Sequence, residues 1–252
     1  MQSVHIVLAS EPSDQMRYKA ASQTGESDVI PWTTLDTAAL PDGSGDLRLK
    51  QRGTEFSIML GSNELMNSRL SGSEEALATL VCDRLGQRRQ PSILIGGLGM
   101  GFTLRAALDH LPDDAQVEVA ELIPAVVAWA RGPMAAVFAG SLDDARVRVN
   151  VTDVAAAIGA GKARHDAILL DVDNGPEGLT VAGNDQLYGA EGLQAARAAL
   201  RPGGILAVWS SGPDHGFTRR LRQAGFATEE VTARARRTGG GARHVIWLAT
   251  RP

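Results

Sequence analysis

The feature that most constrains this sequence is a short apolar run followed at once by closely spaced glycines. Residues 93–95 are apolar without alternation, which is typical of a parallel strand buried on both faces. Gly97, Gly99 and Gly101 follow, and residues 102–108 have the pattern of a helix. Bare glycine backbone beside a helix N-terminus predicts a nucleoside site at the end of this strand. Glycine turns after strands also serve packing alone, and that alternative stays open.

The glycine spacing indicates which nucleoside. A dinucleotide fingerprint, G-x-G-x-x-G, would need its third glycine at position 102, where the sequence has Phe102. The tighter spacing of this stretch is the form that enzymes of sulfonium nucleosides use. We therefore expect a nucleoside that carries a sulfonium group as the ligand.

Strand and helix patterns alternate along the rest of the chain. They predict an α/β fold with a doubly wound, mostly parallel seven-stranded sheet. Besides residues 93–95, the expected strands are 117–121, 147–151, 167–170, 205–209 and 245–249. In such a sheet the ligand lies at the carboxyl ends of the strands.

The first part of the chain has a different pattern. Residues 47–50 and 55–60 flank a glycine turn and predict a β-hairpin, so we expect a small β-rich segment over residues 1–70 and the Rossmann-like domain over 71–252. Ser71 and Glu74 have the spacing of a capping box, which predicts the start of a helix that leads into the glycine strand.

Composition narrows the possible functions. The 252 residues carry a net charge of -4, which argues against broad nucleic-acid binding. Cys82 is the only cysteine, so an internal disulfide and a cysteine-ligated metal are excluded, and we expect no metal. No apolar run reaches the ~20 residues of a membrane span, and no secretory signal is recognisable. A cytoplasmic enzyme is the expectation.

Acidic residues end the expected strands. Glu121 follows the glycines by about 20 residues, where a carboxylate accepts both ribose hydroxyls. Asp153 is a candidate for the adenine amine or an ordinary helix cap. Asp171 and Asp173 are candidates to hold or deprotonate a cationic nucleophile, or else they shape a turn. For Glu121 the alternative is a solvated strand-end acid.

The order of these motifs resembles the polyamine aminopropyltransferases, the spermidine synthase family. Ile95 stands where ordinary methyltransferases usually carry an acid before their glycines, which favours the synthase branch. The matching stretches are residues 95–101 with 104–105, 118–124, 151–153, 166–171, and 187–188 leading to 199–204.

The resemblance implies a class I methyltransferase fold and an aminopropyl transfer from decarboxylated S-adenosylmethionine to an amine acceptor. It places the donor against Gly96, the other loop glycines, Glu121, Leu122 and Asp153. Tyr188 and Glu75 are candidates for the acceptor side, against the alternatives of a packed aromatic and a solvated helix acid. The resemblance also makes a homodimer possible.

The sequence departs from the family on the acceptor side. The glycine loop has Leu98 and Met100 where the family carries an aspartate, and residues 73–77 lack the family's Tyr-His-Glu run. The usual D-S-S-D-P has become the stretch 171–176, D-V-D-N-G-P. The motifs for the nucleoside are thus kept and those for the diamine are changed. This disfavours putrescine as the acceptor and leaves open whether the donor is decarboxylated.

Three other functions stay open on the sequence alone. A small-molecule methyltransferase would use the same fold and the same ribose carboxylate with full S-adenosylmethionine. A non-catalytic nucleoside-binding protein would explain the altered acceptor motifs. Nucleic-acid modification is hinted at by Arg219, Arg220, Arg222, Arg234, Arg236 and Arg237, although the acidic net charge argues against it.

Overall fold

A small antiparallel sheet comes first in the computed structural model, which describes residues 30–172, 187–236, 238 and 240–252. Its strands lie in sequence order, and each is antiparallel to the next. They are β1 (Thr33–Ala39), β2 (Asp46–Arg52), β3 (Glu55–Leu60) and β4 (Asn63–Asn67). Leu35 on β1 is exposed, whereas β2 and β3 carry the buried face.

The larger sheet has the order β10-β11-β9-β8-β5-β6-β7. Its strands are β5 (Ser92–Gly96), β6 (Gln116–Glu121), β7 (Val147–Val151), β8 (His165–Leu170), β9 (Leu200–Ser210), β10 (Ala227–Arg234) and β11 (Arg243–Thr250). Neighbouring strands are parallel from β9 to β7, and β11 is antiparallel to both of its neighbours. The predicted α/β fold with a mostly parallel seven-stranded sheet is confirmed.

Helices connect the strands of this sheet. They are α1 (Gly72–Leu85), α2 (Phe102–His110), α3 (Pro124–Arg131), α4 (Ala135–Phe138), α5 (Val154–Gly159), α6 (Ala190–Ala199) and α7 (His215–Gln223), with a 3-10 turn at Ser141–Asp143. Helix α1 begins after Ser71, which is its N-cap as predicted, but Ser71 makes no side-chain capping bond, so the predicted capping box is wrong. Glu74 is directed elsewhere, as described below.

The core lies on both faces of the larger sheet. Along β8, Ala167 and Leu169 pack on one side and Ile168 and Leu170 on the other, so all four are buried. This two-sided burial explains why the strand is an apolar run without alternation. Alternate residues of β2 and β3 join the first face, so the small sheet shares a core with α1 and α2.

The edge strand β10 has no counterpart among the segments expected from the sequence. Its residues are mostly polar and exposed, and it pairs with β11 along its whole length. A strand held mainly by backbone pairing leaves little hydrophobic periodicity to recognise. In the described part of the chain, no helix has the length and apolar character needed to cross a membrane.

Candidate active site

A large cavity lies at the carboxyl edge of the parallel strands. The strand order β8-β5-β6-β7 brings Asp171, Gly97, Glu121 and Asp153 into one row, because parallel strands end at the same edge. All four residues line the cavity, which encloses about 1350 Å³ counting its open mouth. The small sheet forms the opposite wall. The fold therefore joins four of the predicted site residues around one space.

The backbone of the glycine loop lies very close to neighbouring backbone and side-chain atoms. Gly97 has φ 89°, and a Cβ there would lie 2.4 Å from the carbonyl oxygen of Asp171. Gly101 has φ 75°, and a Cβ there would lie 2.4 Å from the ring of Phe138. Packing thus requires glycine at both ends of the loop. Gly97, Gly99 and Gly101 also line the cavity, so the two interpretations of the glycines are compatible.

Glu121 holds the loop and faces the cavity. Its Oε2 accepts the N–H of Leu98 at 2.9 Å, and its Oε1 accepts the N–H of Ile123 at 2.9 Å. The side chain is 7% exposed. Burial raises the pKa of this carboxyl, and the backbone N–H groups around it act in the opposite direction. An ionised carboxylate has about four acceptor positions, so both oxygens keep capacity for further donors.

Asp153 and Leu122 lie on the far side of Glu121. Asp153 is the N-cap of α5 and accepts the N–H of Ala155 at 2.7 Å, yet it also lines the cavity. Leu122 is an exposed apolar side chain at the cavity. The position of Asp153 is therefore compatible both with an ordinary helix cap and with a contact to the adenine amine. Gly96 is the last residue of β5 and stands outside the lining set.

Asp171 follows β8 on the other side of the glycine loop. Its Oδ2 accepts the hydroxyl of Thr103 at 2.6 Å. Burial, followed by the negative charge of Glu74, raises the pKa of Asp171 to about 7, against the lowering effect of the Thr103 hydrogen bond. A carboxyl with such a pKa exchanges protons near neutral pH, as a general base must. Asp173 lies outside the described residues.

Glu74 is the acidic residue that the sequence did not assign to the site. It lines the cavity, and its Oε2 accepts the hydroxyl of Ser73 at 2.7 Å. Ser73 Oγ also lies 2.9 Å from Nδ1 of His244, on β11. Burial is the main cause that raises the pKa of Glu74. Glu75, the predicted acceptor-side acid, is not among the lining residues.

Tyr188 lies beneath this end of the cavity and not among the residues that line it. It is 2% exposed, its hydroxyl donates to the carbonyl of Val172 at 3.4 Å, and its ring packs edge-on against Phe217. Its contact with Val172 is with the residue next to Asp171. Tyr188 therefore packs behind the cavity wall and supports it at Val172.

The cavity lining contains acids but no basic side chain among the described residues. The four acids are Glu74, Glu121, Asp153 and Asp171. The apolar lining consists of Leu40, Leu47, Ile58, Leu65, Met66, Met100, Phe102, Ala120, Leu122, Ile123, Val126, Val154, Val172 and Trp209. In the same described ranges, no three His, Cys, Asp or Glu side chains are grouped to hold a metal ion.

Curated relatives found by sequence are polyamine aminopropyltransferases, whereas no protein-family model matches. The Mycobacterium tuberculosis protein is 36% identical over 145 residues, which is 54% of this chain and 27% of the relative. The Nitrosomonas europaea protein is 33% identical over 51% of this chain and 37% of the relative. The Korarchaeum cryptofilum protein is 30% identical over 53% of this chain and 40% of the relative. The chain thus spans well under half the length of these relatives.

Solved structures with the same fold are spermidine synthases. The Thermotoga maritima enzyme superposes with a TM-score of 0.70 at 20% identity, covering 87% of this chain and 73% of that chain. A spermidine synthase in complex with the transition-state analogue AdoDATO gives 0.68 at 20% identity, covering 87% and 72%. The curated relatives confirm the resemblance predicted from the motifs, and the solved structures confirm the fold.

Proposed function

We propose that this protein transfers an aminopropyl group from decarboxylated S-adenosylmethionine to an amine acceptor. The observation that carries the proposal is the occurrence of Glu121 and Asp171 on opposite sides of one glycine loop, in one cavity. A ribose-binding carboxylate on one side and a proton acceptor on the other are what a nucleoside-to-amine transfer needs. The similarity to polyamine aminopropyltransferases supports the same reaction.

The donor would lie with its nucleoside on the β6 and β7 side. The carboxylate of Glu121 accepts the two ribose hydroxyls, and Asp153 accepts from the exocyclic amine of adenine. Leu122 offers the adenine ring an exposed apolar surface. The backbone of the loop from Gly97 to Gly101 would run beside the sulfonium and its substituents, with Gly96 behind it at the end of β5.

The charge of the lining supports a decarboxylated donor. Full S-adenosylmethionine carries a carboxylate, and no described lining residue is a cation that would pair with it. The aminopropyl end of the decarboxylated donor is a cation, and Glu74 and Asp171 lie at the end of the cavity beyond the glycine loop. Burying the carboxylate of the full donor without a cationic partner would cost several kcal/mol. The ammonium group of the decarboxylated donor would instead be paired with carboxylates.

The transfer is a displacement at carbon. The acceptor nitrogen forms a bond to the propyl carbon on sulfur, the C–S bond breaks, and its electron pair stays on sulfur as neutral methylthioadenosine. The proton that the amine loses goes to Asp171 and then to solvent. Positioning of the two substrates supplies much of the acceleration. We propose Glu74 as the acid beside Asp171, in the role first given to Glu75, with Asp173 as a further acid and Tyr188 as support for this wall.

A methyltransferase using full S-adenosylmethionine is the second candidate, favoured by the absence of the loop aspartate. Leu98 and Met100, both buried, occupy that part of the loop. Thermal shifts with full donor, decarboxylated donor and methylthioadenosine separate the two functions. We expect the largest shifts with the decarboxylated donor and the thioether.

Turnover is tested by mass spectrometry of the purified full chain with decarboxylated donor and a panel of amines. We expect methylthioadenosine and an aminopropylated amine in equal amounts. Asp171→Asn should abolish the product and keep nucleoside binding, and unchanged turnover would refute the role of Asp171 as base. Nucleoside binding without any product would indicate a non-catalytic protein. Light scattering tests the homodimer that the resemblance suggests.

A further inference from the structure

Glu74 is bound from behind by a hydrogen-bonded row of side chains that crosses the fold. Its Oε2 accepts the hydroxyl of Ser73 at 2.7 Å, and Ser73 Oγ lies 2.9 Å from Nδ1 of His244. Ser73 is the second residue of α1 and is fully buried, whereas His244 on β11 is half-buried. The row therefore begins at an acid that lines the cavity and ends at a histidine that does not line it.

The elements that carry this row are fixed to each other. The N–H of Gly72, the first residue of α1, donates to the carbonyl of Ala235 at 2.9 Å, directly after β10. β10 pairs with β11, and Ala233 stands opposite His244 in that pairing. The His244 ring also packs edge-on against Trp209, with 4.7 Å between the ring centroids. Backbone bonds and packing thus hold the imidazole at the start of α1.

The number of protons determines the direction of the two hydrogen bonds. A serine hydroxyl has one proton, and an ionised carboxylate can only accept. Because the Ser73 proton is given to Glu74, the contact with His244 requires a proton on its Nδ1. The N–H of His244 then occupies the acceptor side of Ser73 Oγ and keeps the hydroxyl directed at Glu74. A protonated Glu74 would permit the reverse order, with Nδ1 as the acceptor.

The bond from Ser73 favours the ionised form of Glu74. Burial raises the pKa of Glu74, the Ser73 hydrogen bond lowers it, and the negative charge of neighbouring Glu75 raises it. Asp171 is a further acid close enough for the charge of Glu74 to raise its pKa. Burial lowers the pKa of His244, which favours its neutral form. Without the Ser73 bond, less of Glu74 would be ionised near neutral pH, and a neutral acid does not pair with an ammonium group.

We propose that Ser73 and His244 are positioning residues that keep Glu74 ionised and directed at the ammonium group of the decarboxylated donor. This inference rests on the proposed function, which pairs that ammonium group with a carboxylate at this end of the cavity. A carboxylate has about four acceptor positions, so the bond from Ser73 leaves room for the ammonium. Asp171 stays available for the proton of the acceptor amine. Ser73 and His244 act through Glu74 and contact no substrate themselves.

Calorimetry of the full chain with two sulfonium nucleosides tests the inference without turnover. One is the decarboxylated donor, and the other is its analogue with a propyl group in place of the aminopropyl group. The ratio of their two affinities reports on the ammonium group, because the nucleoside and the sulfonium charge are the same in both. Ser73→Ala and His244→Phe should reduce this ratio about tenfold, the effect of losing one hydrogen bond to a charged group. The affinity for the propyl analogue should stay almost unchanged.

Two substitutions of His244 separate its hydrogen bond from its packing. His244→Phe keeps a ring against Trp209 and loses the donor, whereas His244→Asn loses the ring and keeps an N–H near the position of Nδ1. We expect the asparagine variant to keep most of the affinity ratio. His110→Phe is the matched control, because His110 is exposed and its Nδ1 contacts the carbonyl of Ala106 within α2. Circular dichroism checks that each variant is folded, and Ser73→Ala decides if His244→Phe is not.

The direction of the row can also be measured in the unmodified protein. In ¹⁵N NMR of the ligand-free chain, Nδ1 of His244 should carry a proton near neutral pH. An unprotonated Nδ1, an unchanged affinity ratio in Ser73→Ala and His244→Phe, or equal losses in His244→Phe and His244→Asn would overturn the positioning role and leave aminopropyl transfer intact. A chain that binds neither sulfonium nucleoside nor methylthioadenosine would refute the proposed function, and the inference with it.

Discussion

Replacing Glu74 by glutamine should move the acid limb of the pH profile of transfer to lower pH. The pKa of Asp171 is raised from 3.8 to about 7, first by burial and then by the charge of Glu74. This corresponds to ~4 kcal/mol against ionisation of the base. Glutamine removes the repulsion and leaves the burial, so the pKa of Asp171 falls part of the way toward its ordinary value.

The expected size follows from the like-charge effect. Removing a neighbouring carboxylate at short range lowers a carboxyl pKa by about one pH unit, or ~1.4 kcal/mol. At pH 6 the ionised fraction of Asp171 should then rise about fivefold, since the midpoint moves from about 7 to about 6. The free acceptor amine ionises identically in solution with either protein, so at subsaturating amine the difference between the two profiles reports on groups of the protein, and the NMR titration assigns it to Asp171.

The assay is the initial rate of methylthioadenosine release between pH 5 and 9, with ¹³C NMR titration of the Asp171 carboxyl as a second measurement. Glu75→Gln is the matched control, because it removes an acid from the same turn of α1 that does not line the cavity. That variant should leave the midpoint almost unchanged. A midpoint that stays at about 7 in Glu74→Gln, or rises, would refute the electrostatic coupling of the two acids.

Four further variants test the site and the fold around it. Glu121→Gln should weaken nucleoside binding roughly 10–100-fold in calorimetry, because the ribose hydroxyls would then bond to a neutral amide in place of a charged carboxylate. An unchanged affinity would contradict the ribose assignment. Gly101→Ala should destabilise the fold by ~2–4 kcal/mol in urea unfolding, from its positive φ and the contact with Phe138; a loss below ~0.5 kcal/mol would contradict this. Asp166→Ala should lower the free energy of unfolding in urea by ~3 kcal/mol, because buried Asp166 accepts from Arg88 at 2.8 Å. Arg88→Ala should lower it less, since the other donors to Asp166 remain.

The side of the cavity proposed for the donor was predictable from the sequence because its groups are local or periodic. The glycines must stand at fixed offsets from the strand, and Glu121 must end the next strand, so spacing alone identifies both. The same regularity made the sheet predictable. Edge strand β10 was missed because its residues carry no apolar periodicity that would distinguish it from a loop.

The side of the cavity proposed for the acceptor was less predictable because its contacts are distant in sequence. Ser71 and Glu74 match a capping pattern, and a local interpretation assigns Glu74 to the helix end. In the fold Ser73 lies between Glu74 and His244, two side chains 170 positions apart. Only tertiary packing directs Glu74 toward Asp171. The sequence alone could not distinguish Glu74 from its neighbour Glu75, and Glu75 was predicted for this role.

The small sheet contributes both to the core and to the cavity wall. Leu49 and Phe56 serve the core alone, whereas Leu47 and Ile58 belong both to that core and to the cavity wall. A polar residue at either shared position would be desolvated on its core side, at a cost of roughly 1–3 kcal/mol without a hydrogen-bond partner. A substitution that made the cavity wall polar at either position would therefore also reduce stability. Trp209 is half-buried and lies outside the small sheet, so the cavity lining can change at that position with a smaller loss of stability.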